Sequence, residues 1–186
     1  SEILKLQDKR EALNERKSFF CRIKKLYIQN SSSDFLTELY YNRNADQYYN
    51  STAHINMAAT YSIFTSKLHK KRGARILDAG CGVGRDTRYF VKRGYAVESF
   101  DSSPGMVKHT REYPFAYCKR SDFDNISYTH TFDGIWASAS LLHVSKKKIP
   151  SILKKLAKAC KPDGIVFVSL KEKGEKTRSK ARSKGR

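Results

Sequence analysis

The stretch that decides the fold is Arg75-Ile76-Leu77-Asp78-Ala79-Gly80-Cys81-Gly82-Val83-Gly84, an apolar run that leads into an acid and three alternating glycines. The apolar run predicts a buried strand, and the residues from Arg85 to Arg93, closed by Gly94, predict a helix directly after it. Glycines between a strand and a helix place bare backbone beside the positive end of that helix. The pattern therefore indicates a site for a small ligand with an anionic group.

The spacing of the glycines separates this motif from the dinucleotide fingerprint. A G-x-G-x-x-G run that begins at Gly80 needs a third glycine at position 85, where the chain has Arg85. The run D-A-G-C-G-V-G instead resembles the first motif of the class I S-adenosylmethionine-dependent methyltransferases. In that family the acid two residues before the first glycine, here Asp78, faces the ammonium group of the cofactor.

Two further acids follow in the order that this resemblance requires. The run 95–100 reads as a second strand that ends in Asp101, where a βαβ unit presents a carboxylate to a ribose diol. A third short strand near 115–118 leads to Asp122, whose place in the family implies a hydrogen bond from the adenine amino group. Either acid alone would fit a loop acid or a helix cap, but their order after the glycine motif favours ligand contacts.

The resemblance extends to the remaining cofactor contacts. It places Phe123 against the adenine ring and Met106 at the flank of the adenine, although Met106 would also serve as adaptable core filler. Cys81 is interpreted as a small spacer whose backbone matters, because no adjacent histidine or second cysteine marks it as a nucleophile. The full set of cofactor-binding residues that we infer is Asp78, Gly80, Cys81, Gly82, Asp101, Ser102, Met106, Asp122, Phe123 and Ala137.

The rest of the chain completes the predicted fold. Residues 132–137 predict a fourth strand, an apolar stripe over 149–160 predicts a helix, and 161–164 predict a turn into a fifth strand at 165–170. The expected fold class is α/β, with a Rossmann-like, mostly parallel sheet flanked by helices. We expect the last strands of that sheet to be lacking, because no apolar run follows Leu170, and we expect an N-terminal helical extension.

Composition divides the chain into three segments. Residues 1–33 are interpreted as a basic helical arm and linker, 34–172 as the methyltransferase domain, and 173–186 as a basic disordered tail. Apolar residues seven apart in the arm fit either a peripheral helix or a dimerisation zipper. The aromatic run 40–49 and a helical stretch from about 52 to 68 resemble the lid of small methyltransferases, although these tyrosines could equally pack helices on the sheet edge.

Cysteine use and hydropathy set the expected compartment. The 186 residues contain four cysteines that are widely scattered, with no C-x-x-C pair and no spacing typical of a metal site. The charged N-terminus lacks the apolar core of a signal peptide, and no run is long enough to span a membrane. We therefore expect a cytoplasmic protein with no metal and no membrane partner.

Charge raises a second class of partner. Lys and Arg total 37 against 18 Asp and Glu, which gives a formal net charge of +19. Such a surface attracts nucleic acid through counterion release. The end of the fourth strand, however, reads W-A-S-A-S-L at 136–141, without the N/D-P-P-Y run of amino-methylating DNA enzymes. A small-molecule acceptor is favoured, with nucleic acid as the alternative.

The resemblance leads to one functional hypothesis and two rivals. We expect S-adenosylmethionine-dependent methyl transfer to a small molecule, with His143 as the candidate general base because its ordinary pKa of about 6.5 suits that role. The pattern looks closest to small bacterial methyltransferases, including those likened to tellurite-resistance enzymes. The rivals are a basic nucleic-acid-binding protein and a truncated, inactive remnant that self-associates through an exposed fifth strand or the N-terminal helix.

Overall fold

The computed structural model describes residues 33–69 and 72–170. The chain divides into two compact units, Ser1–Tyr40 and Tyr41–Arg186. Only residues 33–40 of the first unit are described, and they are helical. The basic arm predicted before Ser33 and the basic tail predicted at 173–186 lie outside the described residues, so these two segments stay predictions.

The described residues form six α-helices, five strands and two short 3-10 helices. The strands are β1 (Arg75–Ala79), β2 (Ala96–Asp101), β3 (Tyr117–Arg120), β4 (Phe132–Ser138) and β5 (Cys160–Ser169). The α-helices are α1 (Ser33–Arg43), α2 (Ala45–Thr52), α3 (Ala58–Ser66), α4 (Arg85–Lys92), α5 (Pro104–Arg111) and α6 (Ile149–Ala159). The 3-10 helices are Phe123–Asn125 and Leu141–His143. Within this part of the chain, no helix combines the length and apolarity needed to cross a membrane.

The five strands form one parallel sheet in the order β3-β2-β1-β4-β5. The chain adds β2 and β3 on one side of β1 and then crosses to the other side with β4. This reversal is a topological switch point, and open parallel sheets bind ligands in the crevice at the carboxyl ends of such strands. The predicted Rossmann-like fold is confirmed, and the glycine motif lies directly after β1.

Two apolar clusters hold the helices on the sheet. Leu77 and Ala79 belong to a cluster with Ile152 and Leu156 of α6, whereas Ile76 belongs to a second cluster. Side chains alternate between the faces of a strand, so consecutive residues of β1 reach different layers. The second cluster contains a buried aromatic from each of α3, α4 and β4, namely Phe64, Phe90 and Trp136.

The helix predicted over about 52–68 is wrong in its first part. Helix α2 continues to Thr52, and α3 begins only at Ala58. Between them the Asn56 side chain accepts a hydrogen bond from the backbone N–H of Ala58 at 2.9 Å. Asparagine side chains compete with helical hydrogen bonds in this way, so the chain turns before a new helix starts.

The third strand begins later than predicted. Phe115 has a φ of +65°, and the backbone N–H of Ala116 donates to the carbonyl of Tyr113 at 3.1 Å. A residue in the left-handed region does not continue an extended strand. The segment around Pro114 is therefore a turn, and β3 covers Tyr117–Arg120.

The fifth strand begins earlier than predicted. Phe132 pairs with Cys160 and Gly134 pairs with Ile165, so residues 161–164 of β5 lie opposite residue 133 alone. The predicted turn residues are thus an irregular insertion within β5 rather than a loop before it. Among the described strands, β5 lies at one edge of the sheet and β3 at the other.

Candidate functional site

The loop after β1 approaches its neighbours closely enough to require glycine. Gly80, Gly82 and Gly84 have φ angles of +75°, +55° and +78°. The N–H of Gly80 donates to the carbonyl of Phe100 on β2 at 3.0 Å. A Cβ added at Gly80 would lie 2.5 Å from the Cβ of Ser140, in the segment after β4. The loop therefore lies with bare backbone between the carboxyl ends of β1, β2 and β4.

Asp101 ties this loop to the end of β2. One carboxylate oxygen accepts from the N–H of Gly82 at 3.0 Å, and the other accepts from the N–H of Ser103 at 3.0 Å. Ser102 lies between Asp101 and Ser103 in the chain, and its carbonyl accepts from Nε of Arg120 at 3.2 Å. The structure thus brings Gly82, Asp101 and Ser102 together, as the sequence predicts.

Asp78 is enclosed beneath the loop. It is 2% exposed, and one of its oxygens accepts from the hydroxyl of Thr87 at 2.6 Å. Burial, reinforced by the negative charge of Asp86, raises the pKa of Asp78 well above its usual range. A cation beside a carboxylate favours the charged form. The chemistry of this buried acid therefore fits a ligand that carries an ammonium group.

Asp122 and Phe123 follow β3 at the same end of the sheet. The Asp122 carboxylate accepts from the backbone N–H of Asn125 at 3.0 Å and from its side-chain amide at 2.8 Å. The Phe123 ring packs edge-on against Phe100, with the ring centroids 5.3 Å apart. A Cβ at Gly80 would lie 3.5 Å from Phe123, so this ring borders the glycine loop.

Met106 and Ala137 are predicted contacts whose side chains, like that of Asp78, are enclosed in the protein. Met106 is 1% exposed and packs with Ala45 of α2 and Val83. Ala137 is fully buried in the same core cluster as Leu77. Neither side chain lines an open cleft in this structure, and their roles toward a cofactor stay predictions.

Aromatic residues before β1 lie against the segment after β4. The hydroxyl of Tyr41 is 2.9 Å from Nε2 of His143, and the two rings meet edge-on with centroids 5.1 Å apart. Tyr48 packs edge-on against Tyr41, and its ring would be 3.5 Å from a Cβ at Gly82. The lid interpretation of the aromatic run stays a prediction. Burial lowers the pKa of His143 below 6.5, so the imidazole is neutral at pH 7.

Sequence reasoning missed two polar residues that hold the site. Thr110 of α5 donates its hydroxyl to the carbonyl of Gly82 at 3.0 Å, and nothing in the sequence marks this residue. Asp86 accepts from Nε and Nη2 of Arg85 at 2.6 and 3.0 Å, from Nε1 of Trp136 at 2.7 Å and from the hydroxyl of Tyr61. Asp86 belongs to the run Gly84-Arg85-Asp86 at the end of the glycine motif. This run was the sequence feature that could have pointed to Asp86.

The interpretation of Cys81 needs a correction. Its Sγ lies 3.6 Å from Sγ of Cys118 on β3. The sequence places no second cysteine beside Cys81, because Cys81 and Cys118 are 37 positions apart along the chain. Cys118 is reached only through the pairing of β3 with β2.

The parallel sheet, the glycine turn at its switch point and the acids that follow β1, β2 and β3 define a Rossmann-like ligand-binding domain. The methyltransferase domain family matches residues 76–164. These residues form a methyltransferase domain of the class I S-adenosylmethionine-dependent kind, as the glycine motif predicts. The finer likeness to tellurite-resistance enzymes is not tested by this match and stays a prediction.

Individual relatives agree with this family. The chain is 32% identical over 123 residues to phosphoethanolamine N-methyltransferase 1 of Zea mays, covering 60% of this chain and 23% of the relative. It is 32% identical over 102 residues to malonyl-[acyl-carrier protein] O-methyltransferase of Erwinia pyrifoliae, covering 54% and 38%. The chain thus spans well under half of either relative.

A solved structure shows the same similarity. The 1,6-didemethyltoxoflavin-N1-methyltransferase of Burkholderia thailandensis, solved with bound 1,6-didemethyltoxoflavin and S-adenosylhomocysteine, is 25% identical to this chain with a TM-score of 0.55. The match covers 72% of this chain and 59% of that one. A DhpI–SAH complex shares the fold, with a TM-score of 0.60 at 19% identity.

Proposed function

We propose that this chain binds S-adenosylmethionine at the carboxyl ends of its parallel strands and transfers the methyl group to a small-molecule acceptor. The observation that carries the proposal is the meeting of the glycine loop with Asp101. The loop presents backbone at Gly80, where a side chain would collide with Ser140, and its Gly82 N–H is held by the acid that ends β2. This arrangement suits a ligand with a ribose and an anionic end group.

Each residue of the proposed site has a chemical task. Asp78 would balance the ammonium group of the cofactor, and Asp101 would accept from the ribose hydroxyls. Asp122 and Phe123 would hold the adenine by hydrogen bonding and ring contact. When bound, the cofactor supplies a sulfonium methyl group that is already activated for displacement. The chain contributes orientation and the exclusion of water, for which α2 and Tyr48 lie against the loop.

His143 is proposed as the general base for an acceptor that must lose a proton. Because burial lowers its pKa, the imidazole is neutral at pH 7 and can receive a proton. The Tyr41 hydroxyl lies at hydrogen-bond distance from Nε2 and holds the ring in place. Tyr41 is therefore a positioning residue.

This role predicts a pH dependence. The rate with an acceptor found by screening should be flat at neutral and alkaline pH and fall in the acid range, as the neutral imidazole is lost through its lowered pKa. His143→Gln should lower kcat by about a hundredfold, within the usual range for general-base catalysis. Tyr41→Phe should lower kcat while Tyr49→Phe, a tyrosine of the neighbouring helix, should not. An unchanged kcat in His143→Gln would show that His143 is not the general base.

The acceptor class follows from the relatives. The maize relative is named for phosphoethanolamine and the Erwinia relative for malonyl-[acyl-carrier protein]. Trans-aconitate 2-methyltransferases of two Mycobacterium species also match, at 45% identity over 49 residues. A small acceptor is thus favoured over nucleic acid. A nucleic-acid partner and self-association are not supported by these relatives, and a cytoplasmic location remains a prediction.

A thermal melt with S-adenosylmethionine tests the cofactor proposal directly. Ligand at 100 times its dissociation constant adds about 2.7 kcal/mol of stability. For a chain of this size that corresponds to a rise in Tm of about 5–11 °C. We expect this rise with S-adenosylmethionine and none with NAD, because the glycine spacing lacks the dinucleotide pattern.

Two variants test whether the rise in Tm depends on the proposed cofactor site. Asp101→Asn should lose most of the rise, because one of the two acceptor oxygens of the carboxylate becomes an NH2 donor. Asp124→Asn is the matched control, since Asp124 is an exposed acid whose carboxylate pairs with Lys148 at 2.7 Å on the neighbouring surface. A cooperative melt that does not respond to S-adenosylmethionine would overturn the proposal and favour the inactive remnant or the nucleic-acid binder.

A further inference from the structure

The two sulfur atoms of Cys81 and Cys118 meet beneath the glycine loop. Their separation of 3.6 Å is van der Waals contact between two thiols, and both cysteines are free. A disulfide has an S–S length of about 2.05 Å, so the sulfurs would need to approach by about 1.5 Å. The third described cysteine, Cys160, lies on β5 at the opposite edge of the sheet. Cys81 and Cys118 are therefore a pair that oxidation can join.

The two cysteines differ in their exposure and in the pKa of their thiols. Cys81 is partly exposed in the loop, whereas Cys118 is buried on β3. The hydrogen bond between the thiols lowers the pKa of Cys118, while burial raises the pKa of Cys81. The exposed surface of the Cys81 residue is thus the side from which an oxidant approaches the pair. The enclosed sulfur has the greater thiolate character, which suits it to attack an oxidised partner.

The backbone at Cys81 is part of the proposed cofactor site. Its N–H donates to the carbonyl of Phe100 at 2.9 Å, and the next residue, Gly82, donates to Asp101. Cys118 is anchored on the other side of β2, where it pairs with Ser99 and its carbonyl accepts from Nε of Arg111 at 2.7 Å. A disulfide would therefore join the glycine loop to β3 across β2.

We propose that Cys81 and Cys118 form a reversible disulfide under oxidation by a hydroperoxide, and that this disulfide switches off cofactor binding. The Cys81 thiol reacts with hydrogen peroxide to give a sulfenic acid and one water. The Cys118 thiol then attacks the oxidised sulfur, the S–S bond forms, the S–O bond breaks, and a second water leaves. Two thiols are oxidised by two electrons in all, and one peroxide is reduced to two waters. Reversible pairs of this kind are typical of redox sensing in reducing compartments.

The effect on the cofactor follows from the position of the loop. Drawing Cys81 toward β3 displaces the adjacent Gly82, whose N–H holds the Asp101 carboxylate. A displaced Asp101 would lose a hydrogen bond to the ribose, and loss of one hydrogen bond to a charged group weakens binding by about tenfold or more. This half of the inference rests on the proposed function, because it needs S-adenosylmethionine to bind at this loop.

Peptide mapping tests the disulfide without any ligand. The full chain, with Cys21→Ser so that the described cysteines are followed alone, is treated with hydrogen peroxide, alkylated and cut with trypsin. The expected product joins 76–85, which carries Cys81, to 112–119, which carries Cys118. Its mass should be lower by two hydrogen atoms than the sum of the two free peptides, and dithiothreitol should separate them again. Absence of the joined peptide, or an equal yield of peptides joined to Cys160, would overturn the proposed disulfide between Cys81 and Cys118.

Cofactor binding tests the switch. The affinity for S-adenosylmethionine should fall about tenfold or more after peroxide treatment and return with dithiothreitol. Cys118→Ser should keep its affinity under peroxide, whereas Cys160→Ser should respond like the parent chain. A joined peptide with unchanged affinity would overturn the switch. If the reduced parent chain fails to bind S-adenosylmethionine, the proposed function fails and the affinity half of the inference fails with it, whereas peptide mapping still decides the disulfide.

Discussion

Replacing Asp86 with alanine is expected to lower the free energy of unfolding by about 3–5 kcal/mol, the usual cost of breaking a buried charge pair. Asp86 is 6% exposed and accepts from the side chains of Arg85, Trp136 and Tyr61. Without the carboxylate, the guanidinium loses its partner and two buried donors lose their acceptor. Chemical denaturation of the two proteins, compared at equal slope, measures the loss.

The position of Asp86 explains why the loss is global. The acid lies in the first turn of α4, Tyr61 lies on α3 and Trp136 lies on β4. Trp136 is fully buried and stacks on Phe167 of β5, with the ring centroids 4.0 Å apart. One carboxylate thus joins two helices to the centre of the sheet. Its removal also takes away a charge that raises the pKa of Asp78, so the proposed cofactor site changes with it.

Asp124→Ala provides the matched comparison for Asp86→Ala. Asp124 pairs with Lys148 at 2.7 Å, and the two side chains are 51% and 44% exposed. Exposed ion pairs of this kind contribute about 0–1 kcal/mol. If Asp86→Ala and Asp124→Ala were equally stable, the buried network would not support the fold as we argue.

Replacing Gly84 with alanine is expected to lower the free energy of unfolding by about 2–5 kcal/mol. The φ of +78° costs an alanine about 1–2 kcal/mol. The added Cβ would also lie 2.7 Å from the hydroxyl of Thr110 and 3.0 Å from its Cα, and overpacking of this kind costs about 1–3 kcal/mol. Because the Thr110 Cα belongs to the backbone of α5, the contact cannot be relieved by a side-chain rotation.

Gly94→Ala separates the two contributions. Gly94 has a φ of +79°, nearly the same as Gly84, but a Cβ there would meet nothing within 4 Å. It should therefore lose only the conformational part, about 1–2 kcal/mol. Equal losses in the two variants would show that α5 does not lie against the loop. Since Thr110 also donates to the carbonyl of Gly82, Gly84→Ala should in addition reduce the Tm rise with S-adenosylmethionine.

Much of the fold was predictable because its signals are local. The apolar run 75–79 became β1, the glycines after it took positive φ angles, and the following helix began at Arg85 as expected. Asp101 and Asp122 followed their strands in the predicted order. Each of these features depends on residues within a few positions of one another, where side-chain alternation and glycine geometry act directly.

The errors in the predicted element boundaries also have local causes, which compete with the helix and strand patterns of the same segments. Asn56 lies in the turn between α2 and α3, where its side chain accepts from the N–H of Ala58, and the turn around Pro114 delays β3. Residues 161–164 were predicted as a turn before β5, yet pairing with β4 on both sides includes them in β5. In that case the partner strand, rather than the segment itself, decides the assignment.

The sequence by itself determined the class of the protein, because strand, glycine turn and helix form a continuous segment whose geometry is set by its own residues. The tertiary structure alone decided which distant groups act together: Tyr41 with His143, Cys81 with Cys118, and Asp86 with Tyr61 and Trp136. These pairs are 25 to 102 positions apart. Their contact depends on strand order and helix packing, which bring together residues that no local pattern relates.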